Sequence, residues 1–470
     1  LFELALFLTK KIDMNIKKSL FSFLAIGLFS ISVVAQGTIN WYNGEGTGMY
    51  TEAAYKLVKK KKSSTVTVAV IDSGIDVEHE DLQGKIWVNA KEIAGNGKDD
   101  DGNGYVDDIH GWNFLGNGKG ENVDATRLEK TRIYAELRDK YEDVDASLIE
   151  QDEEYKLFLK VAEEVGEQFR NMQAEYEQYK DIIDLNPEYK KYYDDNLKFN
   201  LNPDFDDRSL IGDNPKDIND RKYGNNNYEG PDALHGTHVA GIIGAVRGNG
   251  KGGDGVANDV KIMSLRAVPN GDEHDKDVAL AIRYAVDNGA QVINMSFGKA
   301  YSPMAQWVHD AIQYADSKGV LLVHAAGNDN KNIDVEPNFP TAKYDFQTVT
   351  LKNFLTIGAS TNDLKALKAE FSNFGTSSVD IFAPGQEIYS TLPDNQYKNL
   401  QGTSMAAPMV AGAAAFLKSY FPTLTMTQIR SVLVSSSTMY KKELGNYSIM
   451  PGVINLVSAV KACQKLEKKK

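Results

Sequence analysis

The sequence predicts an α/β domain built on a mostly parallel sheet with helices on both faces. Three observations carry that prediction. Apolar, β-branched runs of strand length recur without polar alternation at 66–72, 260–265, 292–295, 319–326 and 354–359, the pattern of strands buried on both sides. Helical stretches separate them at 239–246, 278–288 and 404–417, and strands alternating with helices define this class. The 470 residues, 42% of them apolar, can fill a large core.

Taken in order, residues 1–13 precede the first methionine and read as an upstream extension outside the native protein. Residues 14–35 set Lys17 and Lys18 before an apolar run and end in small residues at Ala35, the layout of a signal peptide. That layout implies export, to a periplasm or beyond the cell. No later stretch reaches the roughly 18 apolar residues of a membrane span, so no stable span is expected after signal cleavage. Residues 36–64 form a short segment before the first strand. Cys463 is the only cysteine, so no internal disulfide forms; it reads as incidental, at the start of a basic tail over 463–470.

The run from 66 ends in Asp72, with Gly74 just beyond. Carboxyl ends of parallel strands are where open α/β sheets carry functional groups. Residues 99–108, DDDGNGYVDD, place side-chain oxygens at Asp99, Asp101, Asn103 and Asp107, with Gly104 for a sharp turn. This is the opening spacing of a calcium loop, and five aspartates in ten residues repel one another without a cation. The closing glutamate is missing, because His110 stands there, and Asp108 is the substitute on offer. Structural Ca2+ is the expected cofactor.

Residues 121–230 hold 29 Asp and Glu against 16 Lys and Arg, a net charge of −13 that equals the charge of the whole chain. The acidity argues against nucleic acid as a partner, since phosphate contacts need clustered cations. Apolar residues recur here at three- and four-residue spacings: Tyr134, Leu137, Tyr141, Val144, Leu148, Tyr155, Phe158, Ala162, Val165, Phe169, Met172, Tyr176, Tyr179 and Ile183. The spacing predicts an antiparallel helical hairpin, with Ser147 and Glu150 as a capping box for its second arm and Asn186-Pro187 as its end. The segment 121–221 reads as an insertion between 65–120 and 222–462. It is a candidate cover for a cleft or a docking site for a protein partner. On that reading, deleting 125–220 changes activity on folded proteins and leaves small peptides unaffected.

His235 opens the helical run HGTHVAG. Residues 248–255 are rich in glycine without phosphate-loop spacing, which argues against a nucleotide site. In QGTSMAAPMVAG, Pro408 has no N–H, and its ring meets the carbonyl four residues back, that of Ser404. The conflict largely disappears if Ser404 begins the helix, where free N–H groups and the macrodipole favour developing negative charge. Alone, this also fits a hydroxyl capping a core helix. An acid, a histidine and a serine in that order match one known order of the hydrolase triad.

With VAVIDSGID, HGTHVAGIIGA, VINMSFG, AAGN and GTSMAAPMVAG in sequence, the chain resembles the subtilisin-like serine proteases, or subtilases, over 65–115 and 230–462. The resemblance implies a three-layer fold and a secreted endopeptidase acting on proteins or peptides. Ser404 would be the nucleophile, His235 its base, Asp72 the partner of His235, and Asn328 the side-chain donor to the oxyanion. Ser296, Phe297 and Gly298 would line the substrate channel and pair with the peptide backbone. Ala325, Ala326 and Gly327 would floor a pocket roomy enough for a large apolar side chain. Asp81 would be a further calcium ligand, and His238 structural. Met409 stands where the family commonly has histidine. Lys299 replaces a usual glycine and is expected to alter the pocket rim. The short segment 36–64 departs from the family's longer prodomain. Two further readings follow: a selective processing protease gated by the acidic insertion, and a silent scaffold on a protease fold.

Overall fold

The computed structural model describes residues 39–141, 144, 151–349 and 351–468. The expected upstream extension, the signal peptide and the Ser147–Glu150 capping box lie outside the described residues. The strands are β1 (Val66–Asp72), β2 (Gly111–Asn113), β3 (Val260–Arg266), β4 (Val292–Met295), β5 (Leu321–Ala325), β6 (Phe354–Ser360), β7 (Ile381–Pro384), β8 (Ile388–Leu392), β9 (Gln396–Leu400), β10 (Thr438–Met439) and β11 (Gly452–Val453). The α-helices are α1 (Thr51–Val58), α2 (Glu129–Tyr141), α3 (Glu153–Ile183), α4 (Pro187–Asp195), α5 (Leu234–Gly244), α6 (Asp275–Asp287), α7 (Ala305–Ser317), α8 (Thr403–Tyr420), α9 (Met426–Ser435), α10 (Lys441–Leu444) and α11 (Leu456–Glu467).

Nine strands form one sheet in the order β10-β11-β7-β6-β5-β4-β1-β3-β2. Every pairing in it is parallel except β10 with β11. In β1 the side chains alternate between two cores. Val66, Val68 and Val70 face a core shared with α1, α5, α8, α9 and α11; Ala69 and Ile71 face one shared with α6 and α7. Each buried aliphatic side chain stabilises the fold by about 1.5–3 kcal/mol. Both faces are apolar because both are covered, which explains why the strand sequences do not alternate.

Strand order reverses beside β1, which pairs with β3 on one side and β4 on the other. Such switch points open a crevice at the strand carboxyl ends, and Asp72 is the last residue of β1. Arg266, at the matching end of β3, is buried and donates to the Ser73 carbonyl at 3.0 Å and the Val123 carbonyl at 2.6 Å. It ties the end of β1 to the start of the insertion.

The helical hairpin is present but unequal. Ile133, Leu137 and Tyr141 of α2 pack on Tyr155, Phe158 and Val161 of α3. α2 has 13 residues and α3 has 31, so the far half of α3 has no partner in α2. It meets α4 instead, with the Tyr176 and Tyr193 rings 5.8 Å apart. The helix α4 lies where only a polar return was expected. Asn186 caps it through the N–H groups of Glu188 and Tyr189, and Pro187 sits at its first position, where a missing N–H costs nothing.

Both ends of the described chain pack into the body. Cys463 is not part of a solvated tail but packs in the main core, on α11. Residues 40–58 likewise belong to the body of the protein: Tyr42, Met49, Ala54 and Val58 are fully buried in that same core. The Met49 carbonyl accepts the Leu456 N–H at 2.9 Å, where α11 begins.

Candidate active site

Asp72 is buried at the carboxyl end of β1, and its Oδ1 accepts the His235 Nδ1–H at 2.7 Å. The Ser73 N–H donates to the same oxygen at 2.8 Å, while Oδ2 is buried without a hydrogen-bond partner among the described residues. His235 lies in the first turn of α5. The next residue must be Gly236: a Cβ there would fall 2.1 Å from the Gly74 carbonyl, so only glycine lets the helix start against the strand end. Burial alone would lower the imidazole pKa, but the Asp72 charge and hydrogen bond outweigh it and raise it above its ordinary value. The ring keeps 36% of its side-chain surface exposed, so it is open to a substrate.

Ser404 occupies the second position of α8, and α8 packs against α5. Proline at 408 is accommodated inside α8, as the placement of Ser404 in its first turn requires. Asn328 follows β5. Its Oδ1 accepts both the Thr403 N–H at 2.8 Å and the Thr403 hydroxyl at 3.0 Å, and because a backbone N–H can only donate, the amide nitrogen must point the other way. A Cβ built on Gly402 would lie 2.7 Å from Ser404 Oγ, 3.4 Å from Asn328 Nδ2 and 3.5 Å from Ser404 N. One small volume above Gly402 is therefore surrounded by a nucleophile and two N–H donors, which suits an oxyanion formed by attack of that hydroxyl.

The channel residues are anchored individually. Ser296 Oγ donates to the Ser404 carbonyl at 2.9 Å. His324 Nε2 donates to the Phe297 carbonyl at 2.8 Å; burial drives this imidazole down to about 4, keeping it neutral. Gly298 lies against Asn338, whose Nδ2 also reaches the Ala325 and Ala326 carbonyls at 3.3 and 3.2 Å. Asn373 holds the other side, bonding the Ala326 carbonyl at 2.9 Å and crowding Gly327, whose φ is +100°. His238 donates from Nε2 to the carbonyls of Ile388 and Lys398 in the β8–β9 hairpin and is driven down to about 3 by burial. It holds a hairpin and stays uncharged. Met409 is fully buried in the core. Thr403, Asn338 and Asn373 escaped the sequence reading, since a polar residue in a turn carries no sign of which amide it will orient.

Lys299 departs from its expected place. Its side chain is buried, and Nζ lies 2.5 Å from Glu129, 2.9 Å from Asp275 and 2.8 Å from the Glu273 carbonyl. It points into the contact with the insertion.

The expected calcium ligands do not gather in one place. Carboxylate oxygens of Asp99 and Asp101 come within 4.8 Å of each other and of Glu92. Glu92, which the loop spacing gave no reason to include, has a buried Oε2 without a partner among the described residues. Asn103 instead turns its Oδ1 to the Tyr105 N–H, and Asp107 turns its carboxylate to the N–H groups of Asn96 and Gly97. Asp108 bonds Asn89 and Tyr284. Asp81 contacts a different loop: Oδ1 accepts from Asn249 at 2.6 Å, and Oδ2 is buried without a partner among the described residues. The Glu92 place fits a hard cation, because it holds an orphaned carboxylate oxygen beside two further carboxylates; Asp81 offers a single orphaned carboxylate oxygen.

A buried acid bonded to a histidine, on a helix packed against one that carries a serine in its first turn, fits a serine hydrolase. The profile of the subtilase family matches residues 63–450, and the chain belongs to that family of serine-type endopeptidases. It is 42% identical over 186 residues to a thermophilic serine proteinase from a Bacillus species, covering 39% of this chain and 42% of that one. It is 36% identical over 227 residues to subtilisin DY of Bacillus licheniformis, covering 48% and 77%. It is 40% identical over 186 residues to thermitase of Thermoactinomyces vulgaris, covering 39% and 61%. A solved protease structure from Pseudoalteromonas arctica shares the fold, with a TM-score of 0.51 at 23% identity over 90% of this chain and 97% of that one. No helix among the described residues is long and apolar enough to cross a membrane.

Proposed function

We propose that this protein is an exported endopeptidase in which Ser404 attacks the peptide carbonyl. His235 takes the Ser404 proton and returns it to the leaving amine. Asp72 fixes the imidazole tautomer and stabilises its charged form, while Asn328 Nδ2 and the Ser404 N–H hold the oxyanion. The observation that carries this reading is the convergence of Ser404 Oγ, Ser404 N and Asn328 Nδ2 on the volume above Gly402. The raised His235 pKa supports the same roles, because a base must be neutral to accept the proton and must then hold it as an acid. Segment 296–298 pairs with the peptide as an added strand, and Ala325, Ala326 and Gly327 floor the pocket for the residue before the cut. Calcium would be held structurally by Glu92, Asp99 and Asp101, where it would neutralise carboxylates that otherwise repel, with Asp81 as a ligand at a second place.

The test is covalent labelling with a serine-directed fluorophosphonate. Labelling that disappears in Ser404→Ala supports an active nucleophile. Absence of labelling in folded wild-type protein sinks the reading in favour of a silent scaffold.

A further inference from the structure

The insertion meets the catalytic body through apolar packing of Val123 and Ile211 and through a cluster of buried charges. At its entry, Thr126 donates its N–H to the Asn270 carbonyl at 2.9 Å, and Asn270 returns a bond to the Asp124 carbonyl at 2.8 Å. The first turn of α2 then grips the next residues. Glu129 N–H bonds Asp272 Oδ2 at 2.7 Å, and Arg132 bonds the Asp272 and Glu273 carbonyls at 2.9 and 3.1 Å. Arg132 also pairs with Glu129 at 2.6 Å. Into this cluster comes one side chain from the substrate segment, Lys299.

Residues 296–299 are thus fixed at both ends. One end is Ser296, bonded to the Ser404 carbonyl and braced by Asn294 Nδ2 at 2.9 Å. The other is Lys299, whose backbone exchanges hydrogen bonds with Phe339 at 3.1 and 2.9 Å and whose ammonium ends on Glu129. Asp275, which also bonds Ser302 and the Met304 N–H, and the Glu273 carbonyl come from the body, so Glu129 is the partner that the insertion supplies. Without Glu129 the ammonium is left with Asp275 and the Glu273 carbonyl, and re-centring on those two shifts the Lys299 side chain and, through it, the adjoining Gly298.

We propose that Glu129 is a positioning residue for the peptide-binding segment, acting through Lys299, so that the insertion sets how the site engages substrate residues upstream of the cut. The inference rests on the peptidase reading above and deepens it. It reverses the expectation drawn from the sequence that small peptides are indifferent to the insertion. Short substrates that reach segment 296–298 feel the insertion, and those that do not reach it escape.

Two chromogenic substrates with the same residue before the cut separate these cases: a single-residue ester and a tetrapeptide anilide. Wild type is compared with Glu129→Gln and with the double variant Glu129→Gln/Lys299→Met, which leaves no unpaired ammonium and carries the test if the single variant does not fold. The expected result is a tenfold or larger loss of kcat/KM on the tetrapeptide, with ester hydrolysis and fluorophosphonate labelling within about twofold of wild type. Rescue of the tetrapeptide rate in Glu129→Asp is expected to be partial. Equal losses on both substrates, or no loss on either, in folded variants overturns the proposal. Wild-type protein that neither labels nor cleaves the ester overturns the peptidase reading, and the proposal with it.

Discussion

Asp72 and Glu129 are both buried carboxylates next to a basic side chain, and they are treated in opposite ways. Asp72 has one charged partner, a histidine open to solvent on its far side, and one oxygen left without a bond among the described residues. Glu129 has Lys299 and Arg132 within 2.6 Å, and burial, which favours its neutral form, is overcome so that its pKa falls well below the ordinary range. Arg208 at the same interface is bonded in forked fashion to both Asp213 and Asp277. On the proposed roles, the charge of Asp72 is left free to act on a moving proton. At the insertion contact Glu129 and Arg208 are each closely paired, while Glu273 Oε1 and Arg127 Nε are buried without a hydrogen-bond partner among the described residues. Substitutions at the site therefore cost rate with little stability, and substitutions at the contact cost stability first.

The largest expected effect breaks the site side. Asp72→Asn lowers kcat by about 10⁴, the scale known for this acid in subtilisin itself, while the melting temperature holds or rises because an underbonded buried charge is gone. Its pH–rate profile sharpens the point. The raised His235 pKa puts the acid limb of wild type above the ordinary histidine value, and residual activity in the variant extends to lower pH. On the contact side, Arg208→Met leaves two buried aspartates short of a partner and destabilises by about 3–5 kcal/mol in denaturant titration, with labelling of the folded fraction unchanged. Acid has the same effect by another route. Glu129, Asp207 and Asp213 titrate below their ordinary values despite burial, so their stabilisation is complete above about pH 4 and is lost as pH falls toward the folded values.

Smaller effects test the oxyanion volume and the cation sites. Asn328→Ala lowers kcat by about 10²–10³, again the scale of this donor in subtilisin. Gly402→Ala, whose methyl would stand 2.7 Å from Ser404 Oγ, matches or exceeds that loss without unfolding the protein. A chelator lowers the melting temperature by a few degrees, and a melting curve indifferent to chelator at low ionic strength removes calcium from the account.

The sheet was legible because burial on both faces leaves an unbroken apolar run, and the predicted strands fall within a few residues of β1, β3, β4, β5 and β6. The paired half of the hairpin was legible through its spacing, since Leu137, Tyr141, Tyr155 and Phe158 are buried as that spacing requires. The rest failed for a physical reason. Lys299 reads the same whether it is solvated or buried against Glu129, because the partner lies 170 positions away. Glu92 is a surface-like glutamate until the loop folds back on it. Cys463 sits among lysines in sequence while its helix turns it inward. Local pattern reports which residues avoid water; it does not report which charges meet.

The burial of residues 42–58 in the main core has a consequence for how the chain is trimmed. Any proteolytic cut between Asn43 and the start of β1 would free side chains that fill the core and would open the contact of Met49 with α11. A folded, active protein is therefore expected to keep Tyr42, Met49, Ala54 and Val58. An amino-terminal sequence of the active protein that starts inside 44–64 would contradict this. Those four side chains serve as part of the wall that closes the core beside α11.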